Sequence, residues 1–183
     1  WSTQTALRAF SGVSDTDVQK QIIEAMSVFA EKSGPFGMLG GQSVDVLFTG
    51  KNPEKERLDY IYRLKTCALI EASMMIGAIL AGADKECVAD FENIGRSVGL
   101  AFQIQDDILD CTGDAAIIGK PLNSDEKNGK TTYVTLFGID AARAEVGRLS
   151  ENAKLVLNNI KPADETEKGF LLWLIESLVK RVY

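Results

Sequence analysis

Three carboxylates, Asp106, Asp107 and Asp110, stand inside GLAFQIQDDILDCTGD, residues 99–114, a stretch whose other positions read as buried helix. At about 100° per residue they fall within one arc of roughly 100° beside Gln103, and Leu100, Ala101, Phe102, Ile104, Ile108 and Leu109 take most of the remaining circumference. The spacing predicts that the acids face a cleft inside a helical bundle. Ionised carboxylates about 6 Å apart repel by roughly 3 kcal/mol per pair at an effective dielectric near 20. Summed over three pairs, that is on the scale of a domain's net stability. Either the acids hold protons or a cation neutralises them. Hard oxygens at i, i+1 and i+4 suit Mg²⁺, which keeps several waters and is commonly shared between carboxylates and phosphates. The competing reading is a solvated acidic helix face. The apolar surroundings count against it, and so do Lys120, Lys127 and Lys130, which follow the acids as a site for a magnesium diphosphate requires. Lys65, at the head of an otherwise apolar helix, is a fourth candidate, although the ordinary place of a single lysine is the solvated surface.

The elements that must hold these residues are helices. Period-3.6 patterns dominate and strand alternation is almost absent, so the expected fold class is all-α. Ser14, with Asp17 three residues on, is the expected cap of a helix whose face is Val18, Ile22, Met26 and Phe29. Gly34-Pro35 ends it and starts another, which carries GMLGGQSVD, Gly37 to Asp45. Adjacent glycines in a helix each cost about 1 kcal/mol relative to Ala. They therefore imply a close backbone approach, from a crossing helix or from a ligand in an acceptor pocket. Asn52-Pro53 is expected to open a helix running through Lys65-Thr66 to about Ala83, and Asp84 one that reaches Cys111. Residues 113–130 have the Gly, Pro, Asn and Ser content of a long loop, a kind that tends to be functional. Further helices are expected from about Thr131, from an Asp140 cap, and from Asp164 with Glu167 completing a capping box.

Composition narrows the chemistry. The 183 residues suffice for one domain or the larger part of one. A net charge of −6 with scattered basic residues argues against a nucleic-acid surface. There is no histidine, which excludes His triads, His-ligated zinc and His acid-base catalysis. Cys67, Cys87 and Cys111 sit at no metal-ligand spacing within apolar segments and read as reduced core thiols of a cytoplasmic protein. Residues 1–12 have neither the basic region nor the apolar run of a signal peptide. The best candidate for a membrane span is Thr66 to Ala83, but Glu71 and the Ala and Gly content favour a helix buried within a bundle.

In these words the sequence resembles the trans-isoprenyl diphosphate synthases, or polyprenyl synthetases, of the short-chain type that makes farnesyl or geranylgeranyl diphosphate. The matching words are GMLGGQSVD, KTCALI at Lys65 to Ile70, GLAFQIQDDILD at Gly99 to Asp110, GKP at Gly119 to Pro121 and NGKTTY at Asn128 to Tyr133, in the family's order and spacing. The resemblance implies an isoprenoid-synthase-type bundle that ionises an allylic diphosphate, joins the carbocation head to tail with isopentenyl diphosphate, and releases diphosphate. It implies that Asp106, Asp107 and Asp110 hold Mg²⁺ as the second aspartate-rich motif, and that Lys65, Lys120 and Lys130 bind the diphosphate. It places Thr66 and Gln103 toward the developing carbocation and Asp125 near the metal shell. A cytoplasmic homodimer is implied as well.

The family's first DDxxD, the arginine pair after it and an upstream basic region with a His are absent. WSTQTALRAF, residues 1–10, resembles the segment beyond that first motif, and Cys67 stands where Gly is commoner. The expectation is therefore that residues 1–183 are the C-terminal part of a single polyprenyl synthetase domain, truncated at the N-terminus and inactive alone. Product length is left open. The alternatives are a regulatory subunit of a heteromeric synthase and a class I terpene cyclase, whose usual second motif is of the Asn-Ser-Glu kind. Arg181 could reach a diphosphate; its ordinary reading is a solvated tail.

Overall fold

The computed structural model describes residues 2–51, 53–112, 129–161 and 165–180. Among them the elements are helices, with no strand: α1 (Ser2–Leu7) with a 3₁₀ turn (Arg8–Phe10), α2 (Thr16–Ser33), α3 (Met38–Phe48), α4 (Lys55–Tyr62), a π turn (Arg63–Cys67), α5 (Ala68–Leu80), α6 (Lys85–Thr112), α7 (Tyr133–Phe137), α8 (Ile139–Asn159) and α9 (Glu165–Lys180). The all-α expectation holds.

Helix α6 is the axis of the bundle. Ile94, Val98, Ala101, Ile104 and Ile108 recur every three or four residues and are almost wholly buried. Toward its C-terminal end this stripe meets Leu58, Ile61 and Tyr62 of α4 and Ala142, Val146 and Leu149 of α8. Toward its N-terminal end it meets Ala153 and Leu157 of α8 and Ile175 of α9. A different side of α6 lies against α5 so closely that a Cβ on Gly95 would fall 2.7 Å from Glu71 Cα, and one on Gly99 2.8 Å from Cys67 Cα.

Several boundaries differ from the sequence expectation. Asp15, not Ser14, caps α2, because its carboxylate reaches the second and third amides of the helix, Asp17 N at 2.8 Å and Val18 N at 3.1 Å. On the expected face of α2, Ile22 is buried but Val18 is exposed. Gln21 already lies against Gly82, beyond the end of α5, so Val18 extends past the helix it would pack on. Helix α4 starts at Lys55 with Glu54 as N-cap and no side-chain cap; Pro53 precedes the helix, and Asn52 lies outside the described residues. Gly138 at φ 81° is the N-cap of α8, which leaves Asp140 inside the first turn. Asp84 does cap α6, accepting from Cys87 N at 2.9 Å. Asp164 lies outside the described residues.

The apolar run 66–83 becomes the end of the π turn, the 13-residue α5 and a turn with Gly82 at φ 77°. Among the described residues no helix is long and apolar enough to cross a membrane. Of the three cysteines only Cys67 is buried. Cys87 is half-buried and Cys111, in the last turn of α6, is exposed, so the core-thiol reading fails for that residue. Burial pushes the Cys67 thiol up to about 12, which keeps it neutral.

Candidate active site

The site begins with a local irregularity. Helix α4 passes through a single π turn before α5, and that turn carries Lys65 and Thr66. Such turns add a residue to the helix and are frequent at functional sites. Helix α3 crosses here. A Cβ on Gly41 would lie 2.3 Å from Lys65 N and 2.7 Å from Leu64 C, distances no side chain tolerates. The close approach implied by the glycine pair is thus a helix crossing at Gly41. Gly41→Ala is expected to lower stability by about 1–3 kcal/mol, because the backbone around Lys65 must move to admit the methyl group. Chemical denaturation of the two proteins checks this, and an unchanged midpoint contradicts it.

One turn along α3 from Gly41, Asp45 pairs with Lys65 Nζ at 2.6 Å. Thr66 Oγ1 donates to Gln103 Oε1 at 2.6 Å, tying the π turn to α6. Gln103 Nε2 stands 3.4 Å from Asp107 Oδ1, at the outer edge of hydrogen bonding. The other oxygen of Asp107 accepts from Tyr62 OH at 2.6 Å and from Tyr133 N at 2.9 Å. Asp45, Lys65, Gln103, Asp107, Lys130 and Thr132 line one cleft of about 40 Å³, room for a few waters. Four segments distant in sequence therefore bring both described candidate lysines, the candidate glutamine and one candidate acid together.

The three acids are not equivalent. Asp107 and Asp110 are each 2% exposed, whereas Asp106 is half-buried. Asp107 turns inward between Tyr62 and Tyr133, where hydrogen bonds offset the burial of its carboxylate. These bonds relieve part of the repulsion among the acids. Among the described residues no three His, Cys, Asp or Glu side chains converge as a metal cage. Mg²⁺ does not need one, since it takes one or two carboxylates and fills its octahedron with water and phosphate oxygens. The hard oxygens of α6 fit such a shared ion through Asp106, the most exposed of the three. Lys120 and Asp125 lie outside the described residues, as do Lys127 and Arg181.

Asp45, Tyr62 and Tyr133 belong to the constellation without having been singled out as site residues from the sequence. Asp45 carried a signal: it lies four residues after Gly41, on the same helical face as the crossing.

A family model described as polyprenyl synthetase matches residues 4–169. The chain is 39% identical over 157 residues to a farnesyl diphosphate synthase of Escherichia coli, covering 83% of this chain and 52% of the relative. It is 37% identical over 142 residues to the farnesyl diphosphate synthase of Geobacillus stearothermophilus, covering 78% and 47%. In three dimensions it matches a crystal structure of a Helicobacter pylori geranyltransferase complexed with magnesium and isoprenyl diphosphate, with a TM-score of 0.81 and 28% identity over 98% of this chain and 58% of that one. The chain spans about half the length of the curated relatives it matches.

Proposed function

Because the chain belongs to the polyprenyl synthetase family, we propose that it is the C-terminal part of a synthetase domain whose whole condenses an allylic diphosphate with isopentenyl diphosphate, head to tail. The observation that carries this reading is the meeting of Lys65, Gln103, Asp107 and Lys130 at one cleft. Breaking the allylic C–O bond sends its electron pair onto the diphosphate, so the site must hold growing negative charge there and positive charge on the carbon. Lys65 and Lys130, with Lys120, bind the diphosphate as it leaves. The Thr66 hydroxyl donates its hydrogen bond to Gln103 Oε1, which leaves the lone pairs of the hydroxyl oxygen to face the allylic carbon as a partial negative charge. The alkene of isopentenyl diphosphate then attacks that carbon, and loss of a proton to the departed diphosphate restores a double bond. Asp106, with Asp110 one turn on and Asp125 as a further acid, would hold Mg²⁺, which would supply charge neutralisation on the leaving group.

The same reading takes the protein to be cytoplasmic and to pair as a homodimer; the exposed apolar side chains Ile23, Leu39, Val46 and Leu47 on α2 and α3 support the pairing. The relatives are farnesyl and geranylgeranyl diphosphate synthases, which favours neither a regulatory subunit nor a terpene cyclase.

The test is an assay of the full-length protein with Mg²⁺, isopentenyl diphosphate and dimethylallyl, geranyl or farnesyl diphosphate. A longer linear prenyl diphosphate and released diphosphate are expected. No turnover with any of the three allylic partners contradicts the reading.

A further inference from the structure

We infer that Asp107 is a positioning residue, the common anchor of the two segments that carry Lys65 and Lys130, and not a ligand of the metal; this rests on the reading of those lysines as diphosphate-binding groups. One oxygen of a carboxylate only 2% exposed receives both short hydrogen bonds, from Tyr62 OH at 2.6 Å and from Tyr133 N at 2.9 Å. Tyr62 lies three residues before Lys65, and Tyr133 three residues after Lys130. A single carboxylate oxygen therefore bridges the two lysine-bearing backbones.

The sequence around Tyr133 explains why an anchor is needed. The first amides of a helix have no intrahelical acceptor. In α7 the capping box of Thr132 and Thr135 serves the third amide, Thr135 N to Thr132 Oγ1 at 3.2 Å, and leaves the first amide, Tyr133 N, to another acceptor. Asp107, on another helix, is that acceptor. The preceding strap is tied elsewhere by Gly50 N to Gly129 O at 3.0 Å and by Thr131 Oγ1 to Lys51 O at 3.4 Å. Of these three ties the one to Asp107 reaches into the core and involves an ionisable group. Loss of the anchor frees the carboxyl end of the strap that carries Lys130 while leaving Asp106 where it is.

The test compares Tyr62→Phe, Asp107→Asn and Asp106→Asn in the full chain. Two quantities are read: the exchange rate of the Tyr133 amide hydrogen relative to that of Val146 in the core of α8, and the affinity for inorganic pyrophosphate with and without Mg²⁺. Tyr62→Phe deletes one donor and touches no acid, so it keeps the test alive if Asp107→Asn fails to fold. Both anchor variants are expected to speed Tyr133 exchange: Asp107→Asn roughly tenfold, because the acceptor of the Tyr133 amide loses its charge, and Tyr62→Phe by a smaller factor, because that acceptor is no longer held in place by the tyrosine. Both weaken pyrophosphate binding yet preserve the ratio of affinities with and without Mg²⁺. Asp106→Asn is expected to leave Tyr133 exchange alone and to collapse that ratio. The inference is overturned if Asp107→Asn collapses the ratio as Asp106→Asn does, or if neither anchor variant changes Tyr133 exchange. Should the unmutated chain bind no pyrophosphate, the diphosphate reading falls, and the exchange rates still decide the anchoring.

Discussion

Lys65→Ala in the full-length protein is expected to lower kcat for prenyl transfer by roughly 10²- to 10³-fold, the range for removing one preorganised group aimed at developing charge. Negative charge on the leaving diphosphate grows as the C–O bond breaks, so the ammonium is worth more in the transition state than in the bound substrate. kcat should therefore fall by a larger factor than KM rises. Preorganisation is visible in the contacts: the Lys65 backbone is fixed by the crossing at Gly41, and its ammonium is held by Asp45 at 2.6 Å. Lys65→Arg keeps the charge but replaces a point donor with a planar fork in a cleft of about 40 Å³, and partial activity is expected. Steady-state kinetics decide. A kcat for Lys65→Ala within about threefold of the original would remove this residue from the leaving-group machinery.

The largest expected loss of stability comes from Glu71→Ala, about 3–5 kcal/mol. Glu71 is 3% exposed and bonded to Lys32 and, at 3.1 Å, to Arg96 Nε. Glu92 completes the network with Lys32 at 2.7 Å and Arg96 at 3.3 Å. Truncation leaves the largely buried Lys32 ammonium with one carboxylate in place of two. Solvent screens surface pairs such as Lys20 with Asp17, and they contribute little by comparison. Replacing Lys32 and Glu71 together by apolar residues should cost less than Glu71→Ala alone, because no charge is then stranded. The network also sets a pH dependence. Burial pushes the Glu92 carboxyl up, but its bond from Lys32 and the charges of Lys32 and Arg96 outweigh that, so it lies below its ordinary 4.5. A depressed carboxyl stabilises the fold above its unfolded value, and that contribution is lost as the pH falls through the folded one. Denaturation at neutral pH and below pH 4.5 checks both statements; a loss under about 1 kcal/mol for Glu71→Ala contradicts the first.

The bundle was legible because its axis repeats: Ile94, Val98, Ala101, Ile104 and Ile108 state a buried helix in any register. Helix ends were less so. Ser14 and Asp15 are both capable caps, and only the chain's path decides which reaches the amides. Lys65, Thr66, Gln103, Asp107 and Lys130 were legible as chemistry-bearing types, and the fold brings them together. Their partners were not. Asp45, Tyr62 and Tyr133 N meet Lys65 and Asp107 across 20, 45 and 26 residues of sequence, and periodicity along one helix says nothing about such pairings. The π turn was equally hidden, since Arg63 to Cys67 contains nothing that an α-helix would refuse. The burial of Asp107 at 2% and of Asp110 at 2%, against a half-buried Asp106, splits a motif that reads as three like acids.

Calorimetric titration of inorganic pyrophosphate into the chain, with Mg²⁺ and then with the metal chelated, tests the account at its centre. Uptake at one site is expected, tightening roughly tenfold or more with Mg²⁺ and weakening when Lys65 or Lys130 is replaced by Ala. Equal affinity with and without the metal, or no uptake in either condition, would contradict it.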